Sequence, residues 1–197
     1  MLSRPTRTAA DCQRLLTETF DQILRTRMSG IPVVNPALTV SAENLTEWHD
    51  DIIGVLITPW FMNLMLLPAT KKRADEFASY KVGSKHTLSF PSGSYEFTLG
   101  GEDRIGHYLS CSLFSPMFDF ADQQTAEDTA SAVFAGLMNS DNREILEAEP
   151  LTQADEPANS ETNDEQAANP ADSTTDEPQH QEAQVYSRRQ LLRGLRG

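Results

Sequence analysis

Between Glu147 and Gln184 the chain holds one large apolar side chain, Leu151. Pro, Asn, Gln, Ser, Asp and Glu dominate this stretch. Such a composition cannot bury enough apolar surface to offset chain entropy. The folding unit is therefore expected to be residues 1–146, with 147–186 a disordered acidic linker and 187–197 a basic C-terminal motif. Charge follows the same division. Of the net charge of −13, the first 146 residues carry only −6, from eighteen acids and twelve bases. The last ten residues return Arg188, Arg189, Arg193 and Arg196. Acidity thus belongs to a tail rather than to a folded surface. A nucleic-acid partner is not expected, because phosphate neutralisation needs a basic footprint.

The longest apolar-leaning run, Ile52 to Leu67, is broken by Gly54, Pro59 and Asn63. It is too short and too interrupted for a membrane helix, so no membrane insertion is expected. The opening M-L-S-R-P-T-R-T has no apolar core behind its arginines and does not read as a secretory signal. Two cysteines, Cys12 and Cys111, fit free thiols in a reducing cytosol better than one long-range disulfide.

Apolar periodicity predicts a helix over Thr8 to Met28, with Cys12, Leu16, Phe20, Ile23 and Leu24 on one stripe. Ser29-Gly30 and Pro32 stop it. The next stretch, I-P-V-V-N-P-A-L, reads as an extended crossing segment. A strand should then end at Trp48, with a turn at Asp50-Asp51. Ile52 to Thr58 is apolar on both faces, as in a central strand. Trp60 to Leu67 reads as a further strand and Lys71 to Tyr80 as a short helix. Ser84 to Phe90, Ser94 to Leu99 and His107 to Leu113 form a meander with turns at Pro91-Ser92-Gly93 and Gly100-Gly101. Tyr95, Phe97 and Leu99 alternate with Ser94, Glu96 and Thr98, which leaves one sheet face wet. Asp119 to Met138 is the closing helix. The expected fold is α+β: an antiparallel sheet of about five or six strands, with the N- and C-terminal helices on one face.

Two segments stand out chemically. In the first, Thr58, Pro59, Trp60, Phe61, Met62 and Asn63 follow a strand. In the second, Cys111, Ser112, Leu113, Phe114, Ser115, Pro116 and Met117 close one. Each sets large, soft side chains beside a proline, and such residues repack around varied apolar partners. Core packing is the competing explanation for Trp60, Phe61, Leu113 and Phe114. Asp50, Asp51 and Asp119 are nearby acids. Catalytic signals are thin. No C-x-x-C, nucleophile elbow or glycine-rich phosphate loop occurs. The alternative to a binding module is a metal-handling or catalytic factor using His107 and Cys111, four apart on one strand. No clustered ligand set supports it, so no cofactor and no enzymatic role are expected.

At T-P-W-F-M-N-L, P-S-G-S-Y-E-F and C-S-L-F-S-P-M the chain resembles the HybE/HupJ family of nickel–iron hydrogenase assembly chaperones. The resemblance runs from the first helix to about Leu137 and includes N-P-A-L and F-A-D-Q-Q-T-A. It implies a non-enzymatic cytoplasmic chaperone. Its partners would be the hydrogenase small subunit, which bears a twin-arginine export signal, the large subunit, and other maturation proteins. Some relatives carry a fused rubredoxin, whose cysteine pairs are absent here. On this reading Trp60, Phe61, Met62, Phe114 and Met117 would form an apolar trough, with Asp50, Asp51 or Asp119 as an acidic rim for arginine.

The C-terminal motif Ser187, Arg188, Arg189, Leu191, Leu192 and Arg193 itself resembles a twin-arginine motif. Three readings stand open: a short docked helix, a basic tail drawn to an acidic protein, or a pseudo-ligand for the client groove. A forty-residue linker spans on the order of 35 Å, enough to reach any site on a domain this size.

Overall fold

The computed structural model describes residues 7–142 and the two-residue strand Val185–Tyr186. The remainder of the linker and the motif at 187–193 lie outside the described residues. The chain orders as α1 (Ala9–Thr26), β1 (Ser41–Trp48), β2 (Asp51–Ile57), β3 (Met62–Pro68), α2 (Lys71–Ser79), β4 (Lys85–Phe90), β5 (Gly93–Glu102), β6 (Gly106–Phe114), α3 (Gln123–Leu137) and β7 (Val185–Tyr186).

Helix α1 starts where a capping box can form. The Thr8 hydroxyl accepts from the Asp11 N–H at 3.2 Å, and the Thr8 N–H donates to the Asp11 carboxylate at 3.1 Å. That exchange satisfies donors the helix itself leaves open. Cys12, Leu16, Phe20 and Ile23 are buried along one stripe, as their spacing requires.

The sheet is antiparallel in the order β1-β2-β3-β6-β5-β4, and β7 adds to β5 in parallel. It is an α+β fold. The helices, however, do not share a face. Ile52, Leu56, Met65 and Leu67 pack with α1, whereas Ile53, Val55, Ile57, Leu64 and Leu66 pack with Phe77 of α2 and with Ala126, Ala130, Val133 and Leu137 of α3. The physical reason lies in β2. It is apolar at nearly every position, and successive side chains of a strand point to opposite faces. Both faces must then be covered. On β4 and β5 the α1-side face stays wet: Glu96 and Thr98 are exposed while Tyr95, Phe97 and Leu99 are buried opposite.

Several boundaries differ from expectation. The β1–β2 turn uses His49 and Asp50, and Asp51 already belongs to β2. The closing helix begins at Gln123, because Asp122 is its N-cap and accepts from the Thr125 N–H at 2.8 Å. Gly100 and Gly101 lie inside β5, not at its turn, which falls at Asp103 to Ile105. Gly100 is opposite Tyr108, and a Cβ there would meet the tyrosine ring at 2.7 Å. Its missing side chain makes room for that ring.

Candidate functional site

The two distinctive segments are neighbours in the sheet. β3 pairs with β6, setting Met62 against Phe114, Asn63 against Ser112 and Leu64 against Cys111. The register shifts between Met62 and Asn63.

The turn between β2 and β3 is held by Thr58. Its N–H and hydroxyl both donate to the Phe61 carbonyl, at 2.8 and 2.9 Å, and its hydroxyl accepts from the Phe61 N–H at 2.9 Å. Thr58 and Pro59 are buried, which leaves Trp60 and Phe61 projecting half-buried from a rigid turn. Both pack on the α1 side, with Phe61 edge-on to Phe20 at 5.7 Å.

These two rings border a hollow of about 320 Å³ between the end of α1 and the sheet, separate from a cleft of about 380 Å³ beside Trp48 and Asp51. Phe20, Ile23, Met28, Met65 and Tyr108 complete its apolar wall, and Asn63 and Ser110 add polar groups. The Asn63 Oδ1 is buried and has no hydrogen-bond partner among the described residues, so it offers an acceptor. Arg27 and Glu102 stand at the lip as an ion pair of 2.7 Å. Glu102 comes from β5, and a second pair, Arg104–Glu18 at 2.9 Å, also ties the β5–β6 hairpin to α1. Burial, followed by the nearby Glu102 carboxylate, pushes the Tyr108 hydroxyl above its ordinary pKa. The cleft can therefore take an apolar chain segment and offer a carboxylate at its edge.

The remaining trough residues stand elsewhere. Met62, Leu113 and Met117 are core residues exposed by 2% or less, on the α3 side. Cys111 is buried in the same cluster. Phe114 is half-buried against Phe120, at 5.2 Å edge-on. Ser112 is half-buried, and Ser115 and Pro116 are exposed. The Ser115 hydroxyl donates to the Trp60 carbonyl at 3.4 Å. A single trough of all five side chains is not formed, because Trp60 and Phe61 pack on the α1 side of the sheet and Met62, Phe114 and Met117 on the α3 side.

The acidic rim also divides. Asp51 is buried and held by the Arg73 fork, with contacts of 3.0 and 2.7 Å. Burial pushes its carboxyl up, and the Arg73 hydrogen bonds oppose that shift. Asp50 and Asp51 stand at the far end of β2, roughly 20 Å along the strand from the Thr58 turn. They border the other cleft, with Trp48, Lys72, Arg73 and Glu76. Asp119 is exposed just beyond Met117. Glu102, which sequence reasoning did not single out, is the acid at the Trp60 cleft. Its only signal is its position after Gly100-Gly101.

His107 and Cys111 are four residues apart on β6, about 13 Å along a strand, too far to share one ion. Among the described residues no three His, Cys, Asp or Glu side chains are grouped to hold a metal. Cys12 and Cys111 lie in clusters on opposite sheet faces, and no disulfide joins them. Burial pushes the Cys12 thiol up to about 11. No described helix is long and apolar enough to cross a membrane.

HupJ of Bradyrhizobium diazoefficiens, a hydrogenase expression/formation protein, is 40% identical over 124 residues, 63% of this chain and 70% of that one. HoxT of Cupriavidus necator is 42% identical over 133 residues, 62% of this chain and 73% of that one. A probable rubredoxin HupJ of Rhodobacter capsulatus is 38% identical over 128 residues, 65% of this chain; the match spans only 45% of that longer protein. The solution structure of HybE from Escherichia coli shares the fold, with a TM-score of 0.50 at 20% identity over 83% of this chain and 96% of that one. The family model described as NiFe-hydrogenase assembly, chaperone, HybE matches residues 11–194, and the chain belongs to that family.

Proposed function

We propose that this protein is a non-enzymatic cytoplasmic chaperone that holds the immature small subunit of a nickel–iron hydrogenase by its twin-arginine signal before export. The large subunit and other maturation proteins are further partners on this reading. The observation that carries it is the apolar cleft beside Trp60 and Phe61 with a carboxylate at its lip. A twin-arginine signal offers the complementary chemistry, guanidinium groups followed by an apolar stretch. Apolar contacts would supply most of the affinity, and a client arginine would replace Arg27 on Glu102 to set register. Exchanging one arginine for another costs little charge desolvation, so the site is poised for such a swap.

The test is co-purification from a hydrogenase-producing strain, with the small subunit carrying or lacking its signal. Capture of the signal-bearing form, weakened by Trp60→Ala or Phe61→Ala by about 1 kcal/mol or more, is the expected result. Equal capture of both forms would refute signal recognition.

A further inference from the structure

The sheet opens between β5 and β6. The β5–β6 ladder runs from Glu102 and Gly106 to Thr98 and Ser110 and stops there. Beyond it β6 continues along β3, from Cys111 to Phe114, while β5 continues along β4, from Phe97 to Gly93. The β6-side edge of β5 from Ser94 to Phe97 is thus left by its expected neighbour. Val185 and Tyr186 lie on it, in parallel register with Ser94 and Tyr95. They must be on that edge, because β4 holds the other: Ser89 pairs with Ser94 and Leu88 with Tyr95.

The slot is built of rigid parts. Tyr95 and Phe97 are anchored in the core at 0% exposure, and the Tyr95 hydroxyl is hydrogen-bonded to the buried Ser92 hydroxyl at 2.9 Å. Ser94 is buried and its hydroxyl meets that of Ser89 at 3.0 Å. The slot is also short. Only Glu96 and Phe97 follow Tyr95 before β6 takes the edge at Thr98. Glu96 is exposed and its carboxylate is paired with Lys85 at 2.8 Å. An extended segment entering here gains main-chain hydrogen bonds of any sequence.

We propose that the β5 edge from Ser94 to Phe97 is a strand-addition site, occupied by the chain's own Val185–Tyr186 as an internal ligand that an extended segment of a client must displace. The client half rests on the function proposed above; the docking half does not. In sequence, the docked pair Val185–Tyr186 runs directly into the twin-arginine-like motif S-R-R-Q-L-L. A tethered ligand acts at an effective concentration on the order of millimolar. Even a weak contact over so few residues would therefore hold the slot, yet yield to a longer client segment. This location differs from the Trp60 cleft expected for the motif.

The experiment compares the full chain with full-chain Val185→Pro/Tyr186→Pro and with Arg188→Ala/Arg189→Ala. Amide hydrogen exchange at Ser94 to Phe97 should quicken in the proline variant. A synthetic peptide of residues 183–193 added to that variant should restore protection. Unchanged exchange, or no restoration, overturns the internal ligand without reference to any client. Affinity for a synthetic Ser-Arg-Arg peptide with a long apolar tail should rise in both variants, about tenfold where the tail holds nine-tenths of the sites. Equal or weaker affinity overturns displacement. A peptide that binds neither protein, while exchange still responds to the tail, refutes the proposed client and leaves the docked strand standing.

Discussion

The Asn35 side-chain amide donates to the main-chain oxygen of Met117 at 2.9 Å and to that of Phe120 at 2.8 Å. Its N–H donates to the Pro59 carbonyl at 2.8 Å, and its Oδ1 accepts from the Ala37 N–H at 3.0 Å. One buried residue of the α1–β1 crossing thus ties the Trp60 turn to the segment after β6. Neither carbonyl lies in a regular ladder; that of Met117 also accepts from the Phe120 N–H at 3.2 Å, and that of Phe120 is served by the Asn35 amide. Asn35→Ala is expected to lower stability by about 1–3 kcal/mol, because the Phe120 carbonyl loses its Asn35 donor and the turn loses its tie to the segment after β6. Asn35→Asp should do comparable harm, since a carboxylate cannot donate to either oxygen. Urea unfolding of both variants measures it.

Two glycines should separate fold from cleft. A Cβ at Gly54 would meet Leu45 Cγ at 2.7 Å and the Glu43 carbonyl at 2.9 Å, where β1 bulges around Asn44 at a φ of 56°. Main-chain atoms cannot move aside cheaply, so Gly54→Ala should cost about 1–3 kcal/mol. At Gly100 the obstacle is the outer edge of the Tyr108 ring. That ring can swing, so Gly100→Ala should change stability little but shift Tyr108 and alter client binding. Thermal unfolding and peptide titration, run on both variants, distinguish the two effects.

Much of this architecture was legible because apolar spacing is dictated by strand and helix geometry. Ile52 to Thr58 and the Cys12–Ile23 stripe are examples. The distribution of helices over the faces was also written in β2, whose consecutive isoleucines ask for cover on both sides. Glycine was misleading: Gly100-Gly101 carries the composition of a turn, yet serves a cross-strand tyrosine. The candidate site was partly legible. Trp60 and Phe61 were visible as large side chains after a strand, but Met62 and Met117 have the same composition and opposite burial. Only the sheet face on which each side chain packs decides between them. Glu102 and Arg27 meet across 75 residues, a pairing no local pattern announces.

The two faces give a direct contrast. Met117→Ala removes a fully buried side chain and should cost about 2–5 kcal/mol of stability. Trp60→Ala should cost less stability and more client affinity. If Met117→Ala instead unfolds no more easily than the parent while abolishing binding, Met117 belongs to the binding surface.

Glu102 and Arg27 give opposite expectations. Glu102→Gln removes the carboxylate a client arginine would use and should weaken binding of a twin-arginine peptide, by about 1 kcal/mol for a partly exposed pair. Arg27→Ala vacates that carboxylate and should strengthen binding by a similar or smaller amount. Calorimetric titration at two salt concentrations checks the assignment, since screening should shrink both changes. Both substitutions weakening binding alike would mean that the pair acts by bracing α1 against the hairpin.

Acid stability follows from three carboxylates held below their ordinary range. Asp11 is lowered by its hydrogen bonds with Thr8, Glu76 by the Arg73 guanidinium and the Tyr80 hydroxyl, and Asp122 by the Thr125 N–H. In each case the unfolded chain takes up a proton at a higher pH than the folded one. Their stabilisation is therefore complete above the unfolded pKa values, about 4, and is lost as pH falls through the lower folded values. Asp122→Asn keeps a side-chain oxygen that can cap α3 but removes its titration. Stability of this variant should match the parent near pH 7. Below pH of about 4 it should fall less steeply than the parent. Chemical denaturation across pH 2.5 to 7, roughly the span over which these groups titrate, measures both limbs. A variant that tracks the parent throughout would show that the Asp122 cap does not contribute to acid sensitivity.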